Sequence, residues 1–204
     1  MRPVMTLRSA LPLLALAAAC AHGPSAATPA ATRAGAAGPA PADYFPLAVG
    51  HAWTYVDESP ALPPGSRGET RTVRILERTA DGYFRDNERG ELRADRDCVH
   101  DRLRRLLCAP LEKGAAWSSV VSVSSTERFE IAGVGETVAT PAGTFDGCVR
   151  VRAHNRASAE TDHVLEITYA PGVGPVRIET FAVVKGEVTP QVRAVLKAYQ
   201  VGGR

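Results

Sequence analysis

Aromatic side chains are scarce in this chain. Phe, Trp and Tyr make up 6% of its 204 residues, and only two of those residues are Trp. A core must therefore rest on Val, Leu, Ile and Ala. Other signals are missing too. There is no C-x-x-C, which argues against thioredoxin-type redox work. There is no G-x-S-x-G, so the serines at 118, 119, 122, 124 and 125 read as a polar strand and loop rather than a nucleophile site. Gly133-Val134-Gly135 and Gly172-Val173-Gly174 lack a Lys and a following helix, so they read as bends and not as phosphate loops. No run shows convincing 3.6-residue periodicity with caps.

Net charge is also missing once the first residues are set aside. Arg2 and Arg8 lie in a segment without acid. Removing them leaves 22 basic and 22 acidic side chains. That balance offers no basic patch for nucleic acid.

What is present begins with an export pattern. Arg2 and Arg8 precede a short apolar run, Leu11 to Ala19, which is far below the about 20 residues that span a bilayer. Residues 1–19 therefore read as a signal peptide. The ending Leu16-Ala17-Ala18-Ala19-Cys20 resembles a bacterial lipobox, with Ala17 where Leu is preferred. The resemblance implies that the Cys20 thiol is acylated and becomes the mature N-terminus. By analogy with enterobacterial sorting, Ala21 after it implies the outer membrane. Two or three acyl chains anchor stably where one binds marginally. Residues 21–42 contain no acid, no large apolar residue and one Arg. Such a tether cannot offset the entropy of ordering, and its reach as a coil is on the order of 25 Å.

The remainder, 43–204, reads as a single antiparallel β domain. Two stretches share the pattern P-L-x-x-G-x-A-W, Pro46–Trp53 and Pro110–Trp117, and they hold both tryptophans. Each reads as a corner that opens a strand: Pro and Leu fix the approach, Gly turns, and Trp plugs the core. Alternation marks strands at 51–57, 70–79, 83–86, 91–97, 102–107, 127–140, 144–153, 163–169, 176–184 and 192–201, and Trp117 leads into a Ser/Val run at 118–125. Phe145, Val149 and Val151 fall on one face of their strand, with Cys148 opposite. Leu165, Ile167 and Tyr169 share another face. The last segment also fits a helix, but Pro190 and the short connection before it favour a strand. The expected fold is an antiparallel sheet of nine or ten strands. It forms a sandwich or a curved half-barrel, with two related halves and the second opening near Cys108.

Three motifs together resemble a group of uncharacterised bacterial envelope lipoproteins. They are Tyr44-Phe45-Pro46-Leu47-x-x-Gly50-x-x-Trp53-x-Tyr55, Pro141-Ala142-Gly143-Thr144-Phe145 and Tyr169-Ala170-Pro171-Gly172-Val173-Gly174. The resemblance implies an exported, mostly antiparallel β domain and supplies no catalytic residues.

Cysteines, charged clusters and aromatics are the remaining candidates. Cys98 and Cys108 flank a turn expected at 99–101, and a bridge would clamp that hairpin and stabilise by about 2–3 kcal/mol. Cys148 is then left over. Asp95, Asp97, His100 and Asp101 form an acid/His cluster, but interleaved Arg93, Arg96, Arg102, Arg104 and Arg105 favour a solvated charged hairpin over a metal centre. His154, Asp162 and His163 flank one loop and could meet across a hairpin. Trp53, Tyr55, Trp117 and Phe145 are core anchors or the walls of a ligand groove. No catalytic residue, metal or cofactor is expected.

The combined expectation is a lipoprotein held at the outer membrane through Cys20, facing the periplasm or the cell surface. Its role is structural or partner-binding, and it is not an enzyme. Its partners are the membrane, through the lipid, and an envelope protein or apolar ligand. Two alternatives stand beside this: a periplasmic carrier or chaperone with an apolar ligand in a β concavity, and a hydrolase of envelope polymers.

Overall fold

The computed structural model describes residues 39–60, 62–63 and 68–202. Over these residues the chain forms one short helix, α1 (Pro41–Tyr44), and twelve strands. The first six are β1 (Ala52–Asp57), β2 (Thr70–Arg78), β3 (Phe84–Asp86), β4 (Glu91–Ala94), β5 (Cys98–His100) and β6 (Arg105–Cys108). The second six are β7 (Ala116–Ser122), β8 (Ser125–Thr140), β9 (Gly143–Arg156), β10 (Thr161–Ala170), β11 (Gly174–Val184) and β12 (Glu187–Gln200). The count exceeds the nine or ten expected. The stretch 83–108 holds four strands of three or four residues each, too short for alternation to separate.

All twelve strands lie in one antiparallel sheet, in the order β6-β5-β4-β3-β2-β1-β12-β11-β10-β9-β8-β7. The sheet curls into a nearly closed barrel. Each half is a six-strand meander, and β1 pairs with β12 to join them. At the other junction, between β6 and β7, side chains replace the ladder. Trp117 Nε1 donates to Arg105 O at 2.6 Å, Arg105 N to Ser119 Oγ at 3.0 Å, and Arg105 Nη2 to Ser118 O at 2.7 Å.

The two P-L-x-x-G-x-A-W copies precede β1 and β7, the first strand of each half. Their backbones match bond for bond. His51 N donates to Ala48 O, as Ala115 N donates to Glu112 O. Gly50 N donates to Ile75 O and Ile75 N to His51 O, as Gly114 N donates to Ile131 O and Ile131 N to Ala115 O. Gly50 and Gly114 have φ of 91° and 90°, a region that disfavours side chains.

In an antiparallel meander successive turns fall at opposite ends. Both corners therefore lie at one end, with α1 and the β10–β11 turn. That end is filled. Trp53 is 1% exposed and donates to Val173 O at 2.7 Å; Tyr55 donates to Pro175 O at 3.0 Å. Phe45 stands edge-on to Trp53 with ring centres 5.3 Å apart. Residues 41–42 were expected to belong to the tether, but the segment Pro41–Tyr44 folds. It is one helical turn because Pro41 supplies a helical φ at the first position, and the Asp43 carboxylate accepts the Ala40 N–H at 2.8 Å.

Bulges explain two departures from simple alternation. Gly147 has φ of 70°, and beyond it Cys148 and Val149 are both fully buried. Cys148 thus lies in the core and not on the face opposite Val149, because the extra residue shifts the side-chain period. In β8 the register slips around Gly133 and Gly135, so these glycines bend a continuous strand. On β10, Leu165 and Ile167 pack on the core and Tyr169 is buried, as alternation required. Its other face is covered too, since Glu166 and Thr168 are buried.

Candidate functional site

The end opposite the Gly corners carries the turns β5–β6, β7–β8, β9–β10 and β11–β12. It is not filled. A cavity of about 500 Å³ opens there, between the β5–β6 turn and the ends of β8 to β12. Its floor includes Ala153 and Leu165, a register pair across β9 and β10 that belongs to the core. Its walls are polar. Glu127 is 8% exposed, and its carboxylate accepts from Arg104 Nε at 2.7 Å and Nη2 at 3.1 Å and from Asn155 Nδ2 at 3.4 Å. Asp101 lies 3.5 Å from Arg104 and also accepts the N–H groups of Leu103 and Arg104. His163, Thr180 and Gln191, with the apolar Leu106, Val164 and Phe181, complete the lining.

Sequence reading did not pick out Glu127. The signal was there, because Glu127 shares its strand face with Phe129 and Ile131, an acid on an apolar stripe. Such a carboxylate must be paired, and the β5–β6 turn supplies Arg104 for it.

Exposed aliphatic residues gather at the same end. Leu103, Val123 and Val184 are 57%, 108% and 44% exposed, each in or beside one of its turns. The outer wall of β8 to β10 is ionic instead. Arg150 bridges Glu136 at 2.9 Å and Glu166 at 3.0 Å, and Arg152 bridges Glu166 at 2.6 Å and Glu130 at 3.4 Å. Gly133 makes room for this lattice, since a Cβ there would overlap the Glu136 carboxylate. Hydrogen bonds that Arg150 donates to Glu136, and then to Glu166, hold its guanidinium further into the charged form.

The sequence-predicted residues are distributed as follows. Cys20, the signal and all of the tether up to residue 38 lie outside the described residues. Cys98 and Cys108 face each other across β5 and β6 and are joined, with Cα atoms 4.2 Å apart. The turn they enclose is at 101–104, two residues later than expected, because Asp101 side-chain and backbone bonds close it. Asp95 and His100 meet at 3.2 Å, while Asp95 Oδ1 accepts the N–H groups of Asp97 and Cys98. Asp95 is thus spent on its own turn, and Arg93 rather than a further carboxylate meets the His100 ring. His154 and Asp162 line an outer groove of about 470 Å³. His163 lines the open-end cavity instead, because neighbours along a strand point to opposite faces. No group of three or more His, Cys, Asp or Glu is placed to hold a metal among the described residues.

The four aromatics do not share one wall. Trp53 and Tyr55 are interior, with their polar atoms bonded to the β10–β11 turn. Trp117 is half-buried and stacks on Phe129 with centres 5.7 Å apart. Phe145 meets Tyr199 at 6.0 Å.

No family model matches the chain, and no curated protein matches it. A solved structure from Parabacteroides distasonis, provisionally described as a lipoprotein, aligns with 77% of this chain and 98% of its own. The identity is 15% and the TM-score 0.45. No helix of the described residues is long and apolar enough to cross a membrane.

Proposed function

We propose that this protein is a lipoprotein of the bacterial cell envelope, held on the outer membrane by acylated Cys20, with a β-barrel domain that serves a structural or partner-binding role without catalysis. The observation that carries the anchoring is the order of residues 2–20: two basic residues, a short apolar run, small residues and Cys. The Cys98–Cys108 bridge is the kind of bond that persists after export. The hydrogen bond from Trp53 to Val173 supports reading the first and third envelope-lipoprotein motifs as one structural signature. The non-catalytic reading is supported by how the buried acids are used. Glu127 is held by Arg104, Glu166 by two arginines, and Asp86 by the N–H groups of Glu88 and Gly90. The test is Cys20→Ala with cell fractionation and labelled palmitate. The wild type is expected to take up label and sediment with outer membranes, and the variant to do neither. Sedimentation of the variant with membranes, alongside an unlabelled wild type, overturns the anchor.

A second reading has its own observation. The open-end cavity has a floor of core residues, as a carrier or chaperone for an apolar ligand requires. Co-purification of acyl chains with the Cys20→Ala protein, read by native mass spectrometry, favours this reading; an empty protein disfavours it.

A further inference from the structure

The chemistry of the open-end cavity narrows what it accepts. Its charged wall is already neutralised. Arg104 forks onto Glu127 and has Asp101 3.5 Å away, so it offers no free cation, while an anionic group there would meet two carboxylates. Asn155 also spends a donor on Glu127. The remaining polar groups are the His163 imidazole, the Thr180 hydroxyl and the Gln191 carboxamide, none with a side-chain partner among the described residues. Each both donates and accepts, which suits hydroxyl groups. Below them the surface is hydrocarbon, with Leu106 from the edge strand β6 and the Ala153–Leu165 pair from the core. A volume of about 500 Å³ falls in the ordinary small-ligand range of about 300–1,000 Å³. Leu103, Val123 and Val184 give the same end an apolar approach.

We propose that this cavity binds a single-chain amphiphile with an uncharged, hydroxyl-bearing head. The hydrocarbon lies against Leu106, Ala153 and Leu165, and the head hydrogen-bonds His163, Thr180 and Gln191. The inference rests on the carrier reading and adds the ligand class. It is independent of the membrane anchor.

The test uses the full chain with Cys20→Ala, so that no covalent acyl group competes. A monoacylglycerol is titrated below its micellar concentration, beside the fatty acid of equal chain length and glycerol alone, by calorimetry. The expected result is one-to-one binding of the monoacylglycerol, at least tenfold weaker binding of the fatty acid, and none of glycerol. Thr180→Trp, which fills the cavity, is expected to weaken the monoacylglycerol more than tenfold. His163→Ala and Gln191→Ala, both at exposed positions, are expected to weaken it several-fold each and to leave the fatty acid unchanged. If Thr180→Trp does not fold, those two variants carry the test. Equal affinity for fatty acid and monoacylglycerol overturns the head assignment. Undiminished binding in all three variants overturns the location while sparing the carrier reading. No binding of either chain overturns both.

Discussion

Trp117 Nε1 donates to Arg105 O at 2.6 Å, across the one junction where the sheet has no ladder. Trp53 does the reciprocal thing, reaching from the first half to Val173 in the second. Each repeated corner therefore carries an indole that grips the opposite half. The repeat reads as a pair of corners whose tryptophans have diverged in burial, one sunk in the core and the other on the seam.

Their substitutions should differ accordingly. Trp53→Ala removes a fully buried indole and is expected to cost about 3–5 kcal/mol. Trp117→Ala opens no comparable cavity and is expected to cost about 1–3 kcal/mol, chiefly stacking on Phe129 and the Arg105 bond. Denaturant melts give the totals. Hydrogen exchange locates them: Trp117→Ala should speed exchange in β6 and β7 before the rest of the sheet. Equal costs for the two would contradict the assignment of Trp117 to the seam.

Gly174 is fixed by the same indole. A Cβ there would sit 2.8 Å from Trp53 Nε1, and its φ is 114°. Gly174→Ala is expected to destabilise by about 2–4 kcal/mol, part steric and part backbone. In a Trp53→Phe background the steric part should vanish and the backbone part remain. A double-mutant cycle measures the coupling; zero coupling would show that the close approach is not what requires the glycine.

Alkaline stability has a defined window. Burial pushes the Cys148 thiol from 9.0 up to about 11. Burial likewise raises the Tyr55 and Tyr169 phenols above their ordinary 10.0. The folded protein holds these protons longer than the unfolded chain. The stability they contribute is complete below pH 9 and is lost as pH rises, first through 9 to 11 for Cys148 and from 10 upward for the tyrosines. Urea midpoints measured from pH 7 to 11 should fall beginning near 9. In Cys148→Ala the fall should begin near 10, and an unchanged onset would remove the thiol from the account.

Removing the Cys98–Cys108 bond by Cys98→Ser and Cys108→Ser is expected to cost about 2–3 kcal/mol, the loop-closure entropy of a ten-residue separation. The loss should be read at the β5–β6 hairpin by hydrogen exchange, with β8 to β11 unaffected. A global loosening of equal size in β8 to β11 would assign the bond a larger role than local clamping.

Much of the fold was legible because strands write a period of two into the chain. Leu165, Ile167 and Tyr169 read correctly. Cys148 did not, since a bulge at Gly147 shifts the period by one and local pattern cannot foresee it. His154 and His163 seemed able to meet because they flank one loop, yet the sheet separates them by face. The open-end cavity was hidden for another reason: its lining joins residues 101, 104, 106, 127, 153, 155, 163–165, 180–181 and 191, far apart in the chain.

The sequence by itself determined the antiparallel β class and the two equivalent corners, because each is a local signal of residue type and spacing. Only the tertiary structure decided which half each tryptophan grips, that Glu127 is buried against Arg104, and that one end of the barrel is filled while the other is open. Those outcomes depend on curvature and register accumulated over twelve strands, where small shifts at bulges decide which distant side chains meet.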